Sequence, residues 1–259
     1  FISSMYSYHF DKWFSYLLLR PSYIMLALKL GQSIGAGNNP VPFSNLFSLS
    51  FDGIDDFVDL GTAKTIFDVQ KGTFSAWVKL NTTSINAPVF KWYSSSNNQI
   101  TIIYLQAANQ LKFMYKGGGT STQVVASSSI ENDGNFHHLA LTWDTVANEL
   151  KAYIDGVQFG TTQTTFGTFS GTPSNFDLGY NRLSGTDFWN GLIDEVSVFT
   201  SVKNITDIYN SGNPTNLVGE SGLVGYWRNE EGTGTTTTSL VGSYAGTLTN
   251  GTTFSTTVP

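Results

Sequence analysis

From Leu46 onward apolar and polar residues alternate one for one, and that period of two commits the chain to extended strands rather than helices. In "FSLSFDG", Phe47, Leu49 and Phe51 share one face, and Ser48, Ser50 and Asp52 the other. "TFSAWVKL" sets Phe74, Ala76, Val78 and Leu80 against Thr73, Ser75, Trp77 and Lys79, and "FHHLALTWD" sets Leu139, Leu141 and Trp143 against His138, Ala140 and Thr142. "LKAYIDGVQ" places Asp155-Gly156 where a two-residue hairpin turn is expected. Helical spacing is confined to "SVKNITDIYNSG" (Ser201 to Gly212), with Ile205, Ile208 and Tyr209 on one side and Gly212 as a stop. The spacing predicts an all-β, two-sheet antiparallel sandwich with one short helix in the C-terminal third. Composition agrees: only 12% of residues are charged, against about 25% in an average globular domain. Ser, Thr, Asn and Gly suit strands and turns better than helix surfaces.

Residues 1–45 read differently. The apolar N-terminal stretch is cut by Arg20-Pro21, so neither piece reaches the roughly 20 residues of a membrane span. The same interruption falls where a signal peptide would need an unbroken apolar run. Translation from Met25 is an alternative reading of this segment. Ser33 to Asn45, rich in Gly, Asn and Pro, reads as a linker, which leaves 46–259 as the sandwich. A net charge of -6 argues against a nucleic-acid partner, and the absence of cysteine excludes disulfides and thiolate metal sites.

Five segments carry a resemblance. "SLSFDGIDDFVDLG", "GTFSAWVKL", "NFHHLALTWD", "LKAYIDGV" and "GLIDEVSVF" follow the order and rough spacing of the laminin-G-like jelly rolls of the concanavalin A-like superfamily, over residues 46–212. The resemblance implies a sandwich of two curved sheets, extracellular or on a particle surface, that binds glycans or protein partners and often carries Ca²⁺ at its rim. "GLVGYWRNEEGTGTTTTSLVGSYAGTLTNG" (Gly222 to Gly251) is similar to the opening of such a domain, yet stands after "IDEV". It begins a truncated second repeat, or the domain is circularly permuted and 222–251 supplies its first strands. Permutation is favoured, because an isolated pair of strands would leave Leu223, Val224, Tyr226 and Trp227 without a core. This segment also resembles ones in marine phage structural proteins, a resemblance that bears on source alone.

Catalysis has little to rest on. A retaining glycosidase needs two carboxyl groups about 5–5.5 Å apart. Among the six glutamates only Glu230 and Glu231 are clustered, and neighbours on a strand point to opposite faces, as do Asp194 and Glu195 in "IDEV" and the tandem His137 and His138. No enzyme activity is expected. Asp194 is assigned the phase of Leu192, Val196 and Val198, an apolar side where a carboxylate needs donors or a cation. The resemblance sets it beside Glu230-Glu231-Gly232, so Ca²⁺ is expected on Asp194, Asp52, Glu231 and Gly232; the competing reading is that Asp194 only caps backbone N–H groups. The aspartates of "SLSFDGIDDFVDLG" read first as turn-makers between two strands, with cation ligation as the less favoured alternative. For glycans, Trp92, Tyr93, Tyr180, Asn181, Arg182 and Trp189 are the candidates, since sugars stack on aromatic rings while Asn and Arg bind their hydroxyls; for Trp189 a core position is as plausible. The sequons at Asn81, Asn204 and Asn250 carry little weight in so Asn- and Thr-rich a chain. The expected function is a non-catalytic carbohydrate-binding or adhesion module, with a structural protein that assembles with other subunits of a virion and a polysaccharide-active enzyme as alternatives.

Overall fold

The period-two segments are strands, paired antiparallel throughout two eight-stranded sheets. The computed structural model describes residues 43–259; Arg20-Pro21, Met25 and most of the linker lie outside the described residues. In chain order the strands are β1 (Ser48–Asp52), β2 (Phe57–Asp59), β3 (Lys71–Leu80), β4 (Ala87–Ser95), β5 (Asn98–Leu105), β6 (Gln110–Gly117), β7 (Thr120–Ser127), β8 (His137–Asp144) and β9 (Glu149–Ile154). There follow β10 (Val157–Gln163), β11 (Asn175–Leu178), β12 (Tyr180–Asn181), β13 (Asp187–Phe188), β14 (Asn190–Phe199), β15 (Leu223–Trp227), β16 (Thr236–Thr238), β17 (Ala245–Thr249) and β18 (Thr253–Ser255). The first sheet runs β10-β9-β8-β3-β14-β1-β18, with β15 on β14 beyond the end of β1; the second runs β16-β17-β2-β11-β4-β5-β6-β7. β12 and β13 form a separate ribbon.

The inner faces bury each other. Leu49, Phe74, Ala76, Val78, Leu139, Leu141 and Trp143 from the first sheet meet Val58, Phe90, Trp92, Ile100, Ile102, Phe113 and Phe176 from the second. Trp92, Trp143 and Trp227 keep their indole N–H groups satisfied by donating to the carbonyls of Lys64, Asp68 and Tyr244. Asp155 and Gly156 both take positive φ, as a two-residue turn between β9 and β10 requires. Gly117-Gly118-Gly119 turns between β6 and β7, and a Cβ on Gly117 would lie 2.3 Å from the carbonyl oxygen of Gly167. The tip is therefore packed against its neighbour.

Two local features depart from simple alternation. In β14 the register against β3 slips between Asp194 and Ser197, and Glu195 takes φ 48°. This is a β-bulge, which reverses the phase beyond it. Ile193, not Leu192, shares the core with Val196 and Val198, so the phase assigned to Asp194 along "LIDEVSV" does not hold. The helix α1 is only Ile205–Tyr209, capped by the Asn204 side chain, with Ile205 and Ile208 buried. It closes a second, smaller cluster over the first sheet with Phe199, Leu217, Leu223 and Tyr226.

The C-terminal strands enter both sheets. β15 pairs with β14, β17 with β2, and β18 with β1. Trp227 reaches the main core, 0% exposed, and packs edge-on to Phe176. No helix among the described residues is long and apolar enough to cross a membrane.

Candidate functional site

Along β4 to β7 every second side chain leaves the core and faces outward over the second sheet. A single cross-strand row runs Thr247, Asp59, Asp177, Lys91, Thr101, Met114, Gln123 across seven strands. Flanking rows add Gln99 opposite Lys116, and Ile103 opposite Lys112. Beside β4 lies the β12–β13 ribbon, and between ribbon and sheet is a cavity of about 330 Å³. Lys91, Gln99, Thr101, Lys112, Lys116 and Asn181 contribute to its walls. Lys91 is 6% exposed. Burial, with help from Lys112 and Lys116, pushes its ammonium down to about 8, and burial also lowers that of Lys112. These lysines escaped the sequence reading, which sought rings in loops. Their signal was the polar phase of "FKWY" and "QLKFMYKG", which puts cations on the two strands that flank β5.

The aromatic and amide candidates divide. Trp92 and Trp189 are 1% and 0% exposed; as core residues they have no ring face to offer a sugar, and both leave the set of ligand contacts. Tyr93 is on the outer phase but buried, its backbone carbonyl accepting from Ser174. Tyr180 stacks on Phe188 with ring centroids 4.6 Å apart. Arg182 is a clamp: it donates to both oxygens of Asp177, at 2.8 and 2.9 Å, and to Asp59 at 2.9 Å. Its charge is already matched, and Asp177, raised to about 6 by burial, is held down from further by that guanidinium. Asn181 lines the cavity and donates to Asp187 at 2.8 Å.

The expected metal ligands do not form one site. Asp52 pairs with Asn190, four residues before Asp194 on β14, a separation of roughly 13 Å along the strand. Glu231 accepts from the Thr238 N–H, and Gly232 packs on Phe47. Asp194 is fully buried; it accepts from Asn45 at 2.9 Å and from the Glu195 N–H at 2.8 Å, beside the unpartnered Oδ1 of Asn45. Burial first, then the neighbouring Glu195, raises its carboxyl well above the usual range.

Asp52 instead joins Asp55 and Asp56, whose ligand oxygens lie within 4.8 Å of one another. The turn that gathers them is made by the same residues. Asp56 accepts from the Asp52 N–H and Asp52 from the Ile54 N–H. Asp56 is 3% exposed and its Oδ1 has no partner among the described residues. Burial raises its carboxyl; the Asp52 N–H opposes this, while the charges of Asp52 and Asp55 add to it. Three carboxylates with an orphaned buried oxygen can hold a hard cation.

Three further titratable groups lie outside both clusters. His137 sits between Asp155 and Asp133, at 2.7 and 2.8 Å, and is raised to about 9 chiefly by the first. His138, lowered to about 4 by burial, lies beside Trp77 and Tyr209. Glu195, raised to about 7 by burial, accepts from Tyr226 and Arg228. A larger hollow of about 600 Å³ lies along Ser201–Ser221, but its Lys203 is paired with Glu220 at 2.7 Å.

Known proteins share this architecture at low identity. A candidate carbohydrate binding protein from Bacteroides ovatus superposes with a TM-score of 0.60 at 15% identity, covering 84% of this chain and 62% of its own. A heptameric SAP-like pentraxin from Limulus polyphemus gives 0.56 at 13%, covering 82% and 96%. The CBM40 of a Ruminococcus gnavus IT-sialidase gives 0.52 at 15%, covering 66% and 100%. At such identities the likeness is one of fold. This chain spans only 62% of the Bacteroides protein. No curated protein sequence matches it. The family model for laminin-G-type domains of the concanavalin A-like lectin/glucanases superfamily matches residues 52–209. On that match, which takes in most of both sheets, the chain belongs to the concanavalin A-like lectin/glucanase superfamily.

Proposed function

We propose that the chain is a non-catalytic carbohydrate-binding module that holds its ligand on the outer face of the second sheet, between β4–β7 and the β12–β13 ribbon. The observation that carries this reading is the cavity itself. It is concave, its amide, hydroxyl and ammonium groups converge, and the rigid sheet beneath presets their spacing. The fold neighbours support it: the Ruminococcus gnavus CBM40 is also known bound to alpha2,3 sialyllactose. The absence of catalysis is inferred from the lining. Asp187 is the one carboxylate among the cavity residues, and it is tied to Asn181, whereas glycoside hydrolysis uses two. A glycan array tests binding, and chromatography of a polysaccharide incubated with the protein tests turnover. Retention without new products is expected. Products whose release stops on a single Asp or Glu substitution would refute the non-catalytic reading.

We also propose that Asp52, Asp55 and Asp56 hold a cation and that it is Ca²⁺, because the donor set is all oxygen and several protein carboxylates suit its flexible coordination better than that of Mg²⁺, which keeps several of its waters. The ion would fix the β1–β2 turn.

A further inference from the structure

The walls of the cavity under the β12–β13 ribbon are unusual for a sugar site in one respect: among the described residues no aromatic ring lines it. Neutral sugars gain much of their affinity by laying C–H faces on rings. That source is missing, so the affinity must come from hydrogen bonds and charge. Charge is what the site holds in excess. Three ammonium groups, on Lys91, Lys112 and Lys116, face a single carboxylate, Asp187. This concentration of positive charge occurs in a chain of net charge -6.

The lysines are not spent on the fold. None of the three lies within ion-pair distance of a carboxylate among the described residues. Lys116 donates to the carbonyl of Ser96 at 3.0 Å. Lys91 is 6% exposed, the charge of Asp187 opposes only part of the cost of burial, and an ammonium buried without a direct ion pair is costly to the folded state. Sheet register fixes the group. Lys91 stands beside Thr101, which stands beside Met114, and Met114 separates Lys112 from Lys116 on β6. An uncompensated, pre-positioned cation cluster in a polar cavity is the arrangement that an anionic ligand completes.

We infer that this cavity binds an anionic saccharide, one bearing carboxylate or sulfate groups, with Lys91 and Lys112 as the charge contacts and Gln99, Thr101 and Asn181 reading hydroxyls. This rests on the carbohydrate-binding reading of the same face and narrows it. At neutral pH Lys91 remains cationic, since its ammonium is lowered only to about 8.

The test is affinity electrophoresis and calorimetry of the full chain on matched polysaccharides. Polygalacturonate is compared with its fully methyl-esterified form, and κ-carrageenan with agarose. Each pair differs mainly in charge. The proposal expects at least a tenfold preference for one acidic member, weakening with salt. Which pair responds distinguishes carboxylate from sulfate. Lys91→Met and Lys112→Gln should each reduce that affinity at least tenfold. Lys91→Met removes a poorly solvated charge, so its melting temperature should not fall, and loss of binding cannot then be blamed on unfolding. Equal binding of the neutral members overturns the anionic assignment and leaves the carbohydrate reading standing. Acidic binding that both substitutions leave intact places the ligand elsewhere and overturns it. Equal binding of single-stranded DNA marks a general polyanion surface and overturns it. Binding of no saccharide, on these matrices and on the array, overturns both readings.

Discussion

Lys91 and His137 are two cations that the fold treats in opposite ways. His137, gripped by Asp155 and Asp133, has its pKa raised from 6.5 to about 9. Its contribution to stability is therefore complete below the unfolded value and is lost as pH climbs through about 9. The shift corresponds to roughly 3 kcal/mol at most. His137→Gln should flatten the fall in melting temperature between pH 6.5 and 9; an unchanged slope would exclude this pair of ion contacts as its source. Lys91, lowered from 10.5 to about 8, has the reverse sign: the folded chain prefers it neutral and gains stability as pH rises from about 8 toward 10.5. Binding of an acidic saccharide should weaken over the lower part of that window, with Lys112, Lys116 and Asp187 the other titratable groups on the cavity. Calorimetric titration at pH 7 and 9 checks it, and affinity that holds across both would tell against Lys91 as a contact. At this scale the sequence was legible for core residues and poor for ligand contacts. Phe74, Ala76, Val78, Leu139 and Trp143 all fall in the core as alternation requires. Trp92 and Trp189 looked like sugar platforms because a ring's residue type does not reveal which side of the sheet it faces, and for Trp189 a core place was an equal reading. Arg182 looked free because its partners Asp59 and Asp177 lie on other strands.

At the scale of elements, the bulge at Asp194–Glu195 is what period-two reading could not see. One extra residue flips every side chain beyond it. Its consequence is a buried carboxyl pair with separate partners: Asn45 on Asp194, and Tyr226 and Arg228 on Glu195. The C-terminal strands are the second such feature. β15 to β18 lie outside the span matched by the family model, yet they pair with β14, β2 and β1. Trp227→Ala should cost about 3–5 kcal/mol, lowering the melting temperature by on the order of 10 °C; a change under 1 kcal/mol would mean that β15 contributes little to the core. We propose that this strand order is a circular permutation. Ser48 donates to the carbonyl of Thr257 at 2.8 Å, so a short linker from 259 to 46 would join neighbours. A rearranged 46–259 sandwich that starts at Gly222, passes through such a linker and ends at Ser221, so that Leu217 is kept, should then fold with a similar melting temperature. An insoluble or molten product would count against permutation.

For the molecule as a whole, the two sheets divide their outer faces. The first is roofed by α1 and its neighbouring loops, with Ile205, Ile208 and Leu217 buried there, while the second keeps a polar hollow. The acidic cluster of Asp52, Asp55 and Asp56 is at the β1–β2 turn and contributes no wall to that hollow, so a metal there would act on stability rather than on the ligand. Ca²⁺ at about 100 times its dissociation constant should add roughly 2.7 kcal/mol, and chelation should remove it. Asp56→Asn should abolish the response if the turn holds the ion, and Asp194→Asn should not. A melting curve indifferent to both Ca²⁺ and chelator would dismiss the ion. The carbohydrate-binding face has a more direct test. Side-chain amide NMR signals of Gln99, Gln123 and Asn181 can be followed while the protein is titrated with a saccharide found on the array. The signals should shift together, saturably and at one common dissociation constant. Shifts confined to residues outside β4–β7 and the β12–β13 ribbon, with these three amides unmoved at saturation, would contradict the assignment of that face.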